Sequence, residues 1–187
     1  RESPDLPEAI ALACEQCGAR LVTMEDSDYP YILKEIFDPP MAIYVRGTLQ
    51  SDAVRIGIVG ARKFSGYGEA LALDFGEKLA AAGLTVVSGA ARGIDTRAHR
   101  GALKAKDGRT VAVLGCGIDV AYPAENRRLL EEIAERGAVI SEYAPGAQPL
   151  PAFFPAQPYH QRAFGGYARR RGGAPLGLAH YGGACAL

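Results

Sequence analysis

The chain has 187 residues, 48% of them hydrophobic and 22% charged, and its 21 Lys+Arg balance 21 Asp+Glu. That length and composition suit one domain, or one domain with a small appendage, and exclude wholesale disorder, a collagen-like repeat or a coiled coil. No run approaches the roughly 18 apolar residues of a membrane-spanning helix. The opening RESPDLPEAIALACEQCGAR carries prolines and acids where a signal peptide has its apolar core. The first residue is not methionine, which suggests a piece of a longer polypeptide. Cys14, Cys17, Cys116 and Cys185 form no disulfide framework, and the single C-x-x-C lacks the second pair or the histidines of a zinc site. Reduced thiols and a cytoplasmic setting are expected.

Taken in chain order, residues 18–47 read as a strand, a short helix from Tyr29 to Ile36, a proline break and another strand. Only the polar TLQSD separates this stretch from Val54, so residues 1–53 are expected to extend a sheet. From Val54 onward, short β-branched runs alternate with longer amphipathic ones. VRIGIVG (54–60), LTVVSG (84–89), TVAVLG (110–115) and AVISE (138–142) read as buried strands. Residues 67–83 place Leu71, Phe75 and Leu79 on one helical face, with Gly83 suited to the C-terminal cap. Residues 93–106 and 124–137 supply two further helices. This alternation predicts βαβ crossovers and a Rossmann-like α/β fold with a doubly wound, mostly parallel sheet, whose core spans residues 54–155.

The zero net charge conceals a split. Residues 1–155 hold 17 Lys+Arg against 21 Asp+Glu, whereas residues 156–187 hold four arginines (Arg162, Arg169, Arg170, Arg171) and no acid. The same tail contains seven glycines and neither helical nor strand periodicity, so it reads as a disordered or foreign segment.

In an open parallel sheet, ligands bind beyond the carboxyl ends of the strands. The first strand of the core is followed by Gly60, Arg62, Ser65, Gly66 and Tyr67, the second by Ser88, Gly89, Arg92, Gly93 and Asp95, and the third by Gly115-Cys116-Gly117. Glycine permits close backbone approach, helix N-termini favour anions, and arginine offers a two-pronged fork to phosphate. Two such turns on one sheet edge form a phosphate cradle. Each feature also has a plain reading, since glycines after strands serve as turn residues and exposed arginines are commonly just solvated. Asp95 and His99 lie four apart on one helical face, the spacing of a hydrogen-bonded pair. Asp95 equally suits a helix cap that orients Arg92, and His99 a structural role, so no acid–base function is expected. The dinucleotide fingerprint, the Walker sequence and the nucleophile elbow are all missing, as is a metal-ligand cluster. Binding without catalysis, cofactor or metal is the expectation.

The runs VGARKFSGYG, SGAARGIDTRAH, VAVLGCGIDVAYPAENRRL, ISEY and FFP, in order from about Leu21 to Pro155, resemble the DNA-processing protein A family (DprA, also called Smf). The resemblance implies an extended Rossmann fold in a bacterial cytoplasmic protein. It further implies a homodimeric, non-enzymatic mediator that binds single-stranded DNA, protects it during natural transformation and loads RecA recombinase onto it. Carried across by motif, Arg62 is the DNA-phosphate contact of the VG-x-R turn, and Ser65, Gly66, Ser88, Gly89, Arg92 and Gly93 complete the cradle. Arg127 or Arg128, beside Asn126, is the candidate for the opposite rim, and Tyr67 the candidate for base stacking.

After Pro155 the resemblance stops. The family continues approximately with x-R-N-R-I-I-x-G-L-S, then V-V-E-A and S-G-S-L-I-T-A. Back-translating Gln157 to Phe164 and reading one nucleotide downstream permits Asn-Arg-Ile-Ile-Ser-Gly-Leu-Ser. The same frame permits the other two motifs at Arg169–Gly172 and Leu176–Gly182. The expectation is a frameshifted tail from about Gln157, lacking the family's last strands and its dimerisation and RecA-contacting region. Two alternatives belong to other classes. A nucleotide-processing enzyme of the lysine-decarboxylase-like phosphoribohydrolase type would carry P-G-G-x-G-T-x-x-E, which is absent. A catalytically silent nucleotide sensor would prefer mononucleotide to oligonucleotide.

Overall fold

The computed structural model describes residues 6–50, 53–150, 166–169 and 177–179. Its elements run α1 (Leu6–Cys17), β1 (Ala19–Thr23), α2 (Tyr31–Lys34), β2 (Ala42–Gly47), β3 (Arg55–Val59), α3 (Gly66–Ala81), β4 (Thr85–Ser88), α4 (Ile94–Lys104), β5 (Arg109–Leu114), a 3-10 turn (Ala124–Asn126), α5 (Arg127–Arg136), β6 (Ala138–Ser141), β7 (Gly166–Arg169) and β8 (Gly177–Ala179). The strands form one sheet in the order β1-β2-β6-β5-β4-β3-β7-β8. Its centre, β3 to β6, is parallel, as the alternating sequence pattern predicts. β2 joins β6 antiparallel and β1 joins β2 antiparallel, so the N-terminal segment lengthens the sheet.

Period-two alternation explains why both faces are covered. In β5, Val111 and Val113 cluster with Val22, Tyr29, Leu33, Ile43 and Ile140 on the α2 face. Ala112 and Leu114 point the other way, into a cluster with Leu129, Leu130 and Ile133 of α5. A third cluster seats Ala98 and Ala102 of α4 on Ile56, Ile58 and Val86. α3 and α4 approach so closely that a Cβ on Gly76 would lie 2.4 Å from the Ala98 carbonyl oxygen. Only glycine allows that contact.

α1 is an element that the sequence reading passed over. Its signal was the spacing of Ile10, Cys14 and Cys17 along one face, and those residues pack beside Tyr44. Both C-x-x-C thiols are free, with Cys14 buried and the Cys17 thiol donating to the Cys14 carbonyl at 3.4 Å.

The tail also differs from expectation. Gly166–Arg169 adds to β3 in parallel and Gly177–Ala179 to β7 antiparallel, where no regular structure was anticipated. The reason is that a ladder is made by backbone groups. The outer edge of β3 offers N–H and C=O donors and acceptors to any extended segment, whatever its side-chain pattern. The rest of the expected frameshifted tail lies outside the described residues.

Candidate nucleic-acid interface

The turns after β3 and β4 are locked together from beneath by one buried carboxylate. Asp95, in the first turn of α4, accepts from the Gly60 amide at 3.3 Å and the Gly89 amide at 3.2 Å. Burial pushes its pKa up to about 6, while the amides of Gly60, Gly89 and Ala91 pull the other way. The main chain adds a second tie, because the Ile94 amide donates to the Ala61 carbonyl at 3.3 Å. Gly93, at φ +97°, makes this possible: a Cβ there would sit 2.2 Å from Ala61 O and 2.8 Å from Arg62 Cα. The β3–α3 turn is braced from the side by Arg97 of α4, which pairs with Glu69 at 2.8 Å and lies 5.7 Å over the Phe64 ring.

These ties deliver two arginines to one place. Arg62 from the first turn and Arg92 from the second both line a cleft of about 270 Å³ at the carboxyl ends of β3, β4 and β5. Gly89, Ala91, Leu114, Gly115 and Cys116 form its floor and inner wall, and the 121–124 segment forms the outer wall. Leu114, Cys116, Ala121 and Pro123 make much of that lining apolar, so the cleft combines cationic groups with surface suited to flat organic rings. Asn126 holds the outer wall: buried, it donates from Nδ2 to the Ala90 carbonyl and to Thr96 Oγ1, each at 2.8 Å. Ala90 is held at φ +50°, an uncommon conformation for a residue with a side chain. Burial pushes the Cys116 thiol up to about 11, so it is protonated near pH 7, and its Sγ donates to the Val120 carbonyl at 3.3 Å.

The structure places the sequence candidates unequally. Arg62, Gly89 and Arg92 line the cleft. Gly60, Ser65, Gly66 and Tyr67 sit exposed on the adjoining turn and the start of α3, where Ser65 caps the helix by accepting from the Gly68 amide at 3.2 Å. Gly93 supports the Arg62 backbone from below. Ser88 is fully buried and donates to the Ile58 carbonyl at 2.6 Å, so its hydroxyl is committed within the sheet. Two amides expected to face a phosphate, those of Gly60 and Gly89, are instead bound to Asp95. What the cleft lining offers an anion is therefore the Arg62 and Arg92 guanidinium groups more than those two amides. Asn126 braces the wall, and Arg127 and Arg128 are exposed at the start of α5 but are not part of the cleft lining.

The anticipated Asp95–His99 pair does not form, and neither does the contact by which Asp95 would orient Arg92. Asp95 turns to the strand-end amides, while His99 Nδ1 lies 2.7 Å from Thr110 Oγ1. The Thr110 hydroxyl gives its single proton to the Val86 carbonyl at 2.7 Å, so Nδ1 must be the donor. Burial holds the His99 pKa down to about 3, and the ring is neutral near pH 7. Arg92 instead pairs with Glu125, a residue that the sequence did not single out: Nε and Nη2 donate to the two carboxylate oxygens, both at 2.7 Å. The cis-linked pair Tyr122 and Pro123, also in the wall, was missed as well. All three fall in the run VAVLGCGIDVAYPAENRRL that carries the family resemblance, but no periodicity marks them because a loop assembles the wall.

Comparison with known proteins identifies the family and the fold. Residues 20–158 match the family described as DNA recombination-mediator protein A. The chain is 40% identical over 148 residues to the Smf protein of Synechocystis, covering 76% of this chain and 37% of that one. The crystal structure of DNA processing protein A from Streptococcus pneumoniae superposes with a TM-score of 0.72 at 34% identity, over 83% of this chain and 55% of that chain. The Helicobacter pylori protein, whose structure was described for its single-stranded DNA binding mode, gives 0.71 at 26% identity, over 83% and 72%. The chain spans about half or less of the length of the curated relatives it matches. On sequence and on fold together, this chain belongs to the DNA recombination-mediator protein A family.

Proposed function

We propose that the cleft holds the backbone of single-stranded DNA, and that the chain serves as a recombination mediator rather than as an enzyme. The observation that carries this reading is the convergence of Arg62 and Arg92, from two separate turns, on one partly apolar cleft. Two guanidinium groups suit successive phosphates, and the apolar wall suits a base. The single-stranded DNA binding mode described for the Helicobacter pylori relative supports it. Protection of incoming DNA, loading of RecA recombinase, homodimerisation and a cytoplasmic location belong to the same proposal, which rests for these on family membership. A body with a balance of −4 can still bind a polyanion when its few cations converge.

Anisotropy with a labelled oligo-dT, competed by ATP and AMP, tests the reading. Tight oligonucleotide binding that mononucleotides displace poorly is expected. Preferential binding of AMP or ATP would replace it with a nucleotide sensor.

We also propose that the tail from about Gln157 is read out of frame, which the end of the family match at residue 158 supports. Nucleotide sequence across the codons around Gln157 decides this. A downstream frame that does not encode Asn-Arg-Ile-Ile-Ser-Gly-Leu-Ser refutes it.

A further inference from the structure

The pairing of Arg92 with Glu125 has a geometry that matters for how a strand enters. The carboxylate takes the Nε and Nη2 edge of the guanidinium through two 2.7 Å bonds, the same fork that a phosphate would use. The pair is exposed, at 65% for Arg92 and 57% for Glu125, so the fold has little need of it. The backbones on both sides are pinned independently. Gly93 is packed against Ala61 and Arg62 next to Arg92, and Asn126 is bonded to Ala90 and Thr96 next to Glu125. Only the two side chains need move for the bond to open. Arg92 and Ala124 line the cleft, and the Glu125 carboxylate, itself outside that lining, is bonded to the first and adjoins the second in sequence.

We propose that Glu125 is a latch: it occupies Arg92 in the empty cleft and is exchanged for a strand phosphate on binding. This rests on the strand-binding reading above and assigns a selectivity role within it. A mononucleotide has to displace the carboxylate unaided. A strand already held at Arg62 presents its next phosphate at high effective concentration and displaces the latch readily. Glu125 thus lowers affinity for every anion and penalises short ligands most, which favours a chain of phosphates over free nucleotides and keeps the grip reversible.

Oligo-dT and AMP titrations across a salt series, on the full chain and on Glu125→Gln, Arg92→Ala, the double variant and Arg62→Ala, test this. Glutamine keeps the shape and one acceptor but removes the charge. Glu125→Gln is expected to tighten oligo-dT binding about five-fold, the effect of one unit charge at about 4 Å in water. Its logarithmic salt slope should stay close to that of the unsubstituted chain, because Arg92 meets a strand phosphate in both, while AMP binding tightens by a larger factor. In the Arg92→Ala background those gains disappear. Unchanged or weaker binding by Glu125→Gln overturns the latch, as does an equal gain with and without Arg92, which marks a general charge effect. Failure of the strand-binding reading looks different: Arg62→Ala then leaves oligonucleotide binding unaltered, whatever Glu125 does.

Discussion

Replacing Gly93 by alanine probes the support beneath Arg62. At φ +97° and ψ −132° the residue occupies backbone space that side chains rarely enter, a cost of about 1–3 kcal/mol. The new Cβ would lie 2.2 Å from the Ala61 oxygen, 2.8 Å from Arg62 Cα and 2.9 Å from the Arg62 oxygen. All three are main-chain atoms, so no rotamer change relieves the overlap. Pushing them aside adds about 1–3 kcal/mol, the usual range for overpacking. The expected loss is therefore about 2–6 kcal/mol, a large share of the roughly 5–15 kcal/mol that holds a domain together. Urea denaturation followed by circular dichroism measures it as a lower midpoint at unchanged slope. Because relief of the clash shifts Ala61 and Arg62, the folded fraction should also bind oligo-dT more weakly. A loss below about 1 kcal/mol with full binding would refute the claim that Gly93 sets the position of the first turn.

Three further outcomes follow from the same geometry. Asn126→Ala deletes both donated bonds and strands the Ala90 carbonyl, so we expect a loss of about 2 kcal/mol in denaturant unfolding; a loss under 0.5 kcal/mol, within the ~±0.5 kcal/mol of an ordinary surface change, contradicts the brace. Ser65→Ala removes the cap of α3 and should cost about 1 kcal/mol by the same measurement, whereas no change would mean that the hydroxyl does not cap. The third concerns pH. The folded pKa of His99, about 3, lies below its ordinary 6.5, so its contribution is fully present above pH 6.5 and is lost as pH falls toward 3. Asp95, raised to about 6, works in the opposite sense, contributing fully below its ordinary 3.8 and losing that as pH rises through 6. His99→Gln removes the first effect and leaves the second. Its stability should decline less on acidification from pH 6.5 to 4 than that of the unsubstituted chain, and parallel curves would sink the assignment.

Much of the fold was legible because its signals are periodic. β3 to β6 and the three helices between them follow the apolar spacing within one to three residues, and the glycine-arginine turns fall at the strand ends as topology requires. The apolar stripe of α1 is short, and its stretch draws attention first to the leader question and to the C-x-x-C at Cys14 and Cys17. β7 and β8 left no pattern to find, since an exposed sheet edge recruits backbone rather than particular side chains.

The site was legible in its cations and illegible in their partners. Motif position brought out Arg62 and Arg92, and the fold brings them together. Asp95 looked like a partner for His99 because helical spacing measures only its own helix. The nearest unsatisfied donors were amides on two other elements, and a buried carboxylate goes to donors. Glu125 escaped notice for a related reason, as 33 residues separate it from Arg92 and no periodicity spans that gap.

The most direct test of the central claim is the salt dependence of oligo-dT affinity, compared between the unsubstituted chain and the Arg62→Ala, Arg92→Ala double variant. If both guanidinium groups neutralise strand phosphates, the double variant binds far more weakly and its logarithmic slope is shallower by about 1.4, or roughly 0.7 for each lost contact. An unchanged slope and affinity would place the strand elsewhere on the molecule and contradict the account.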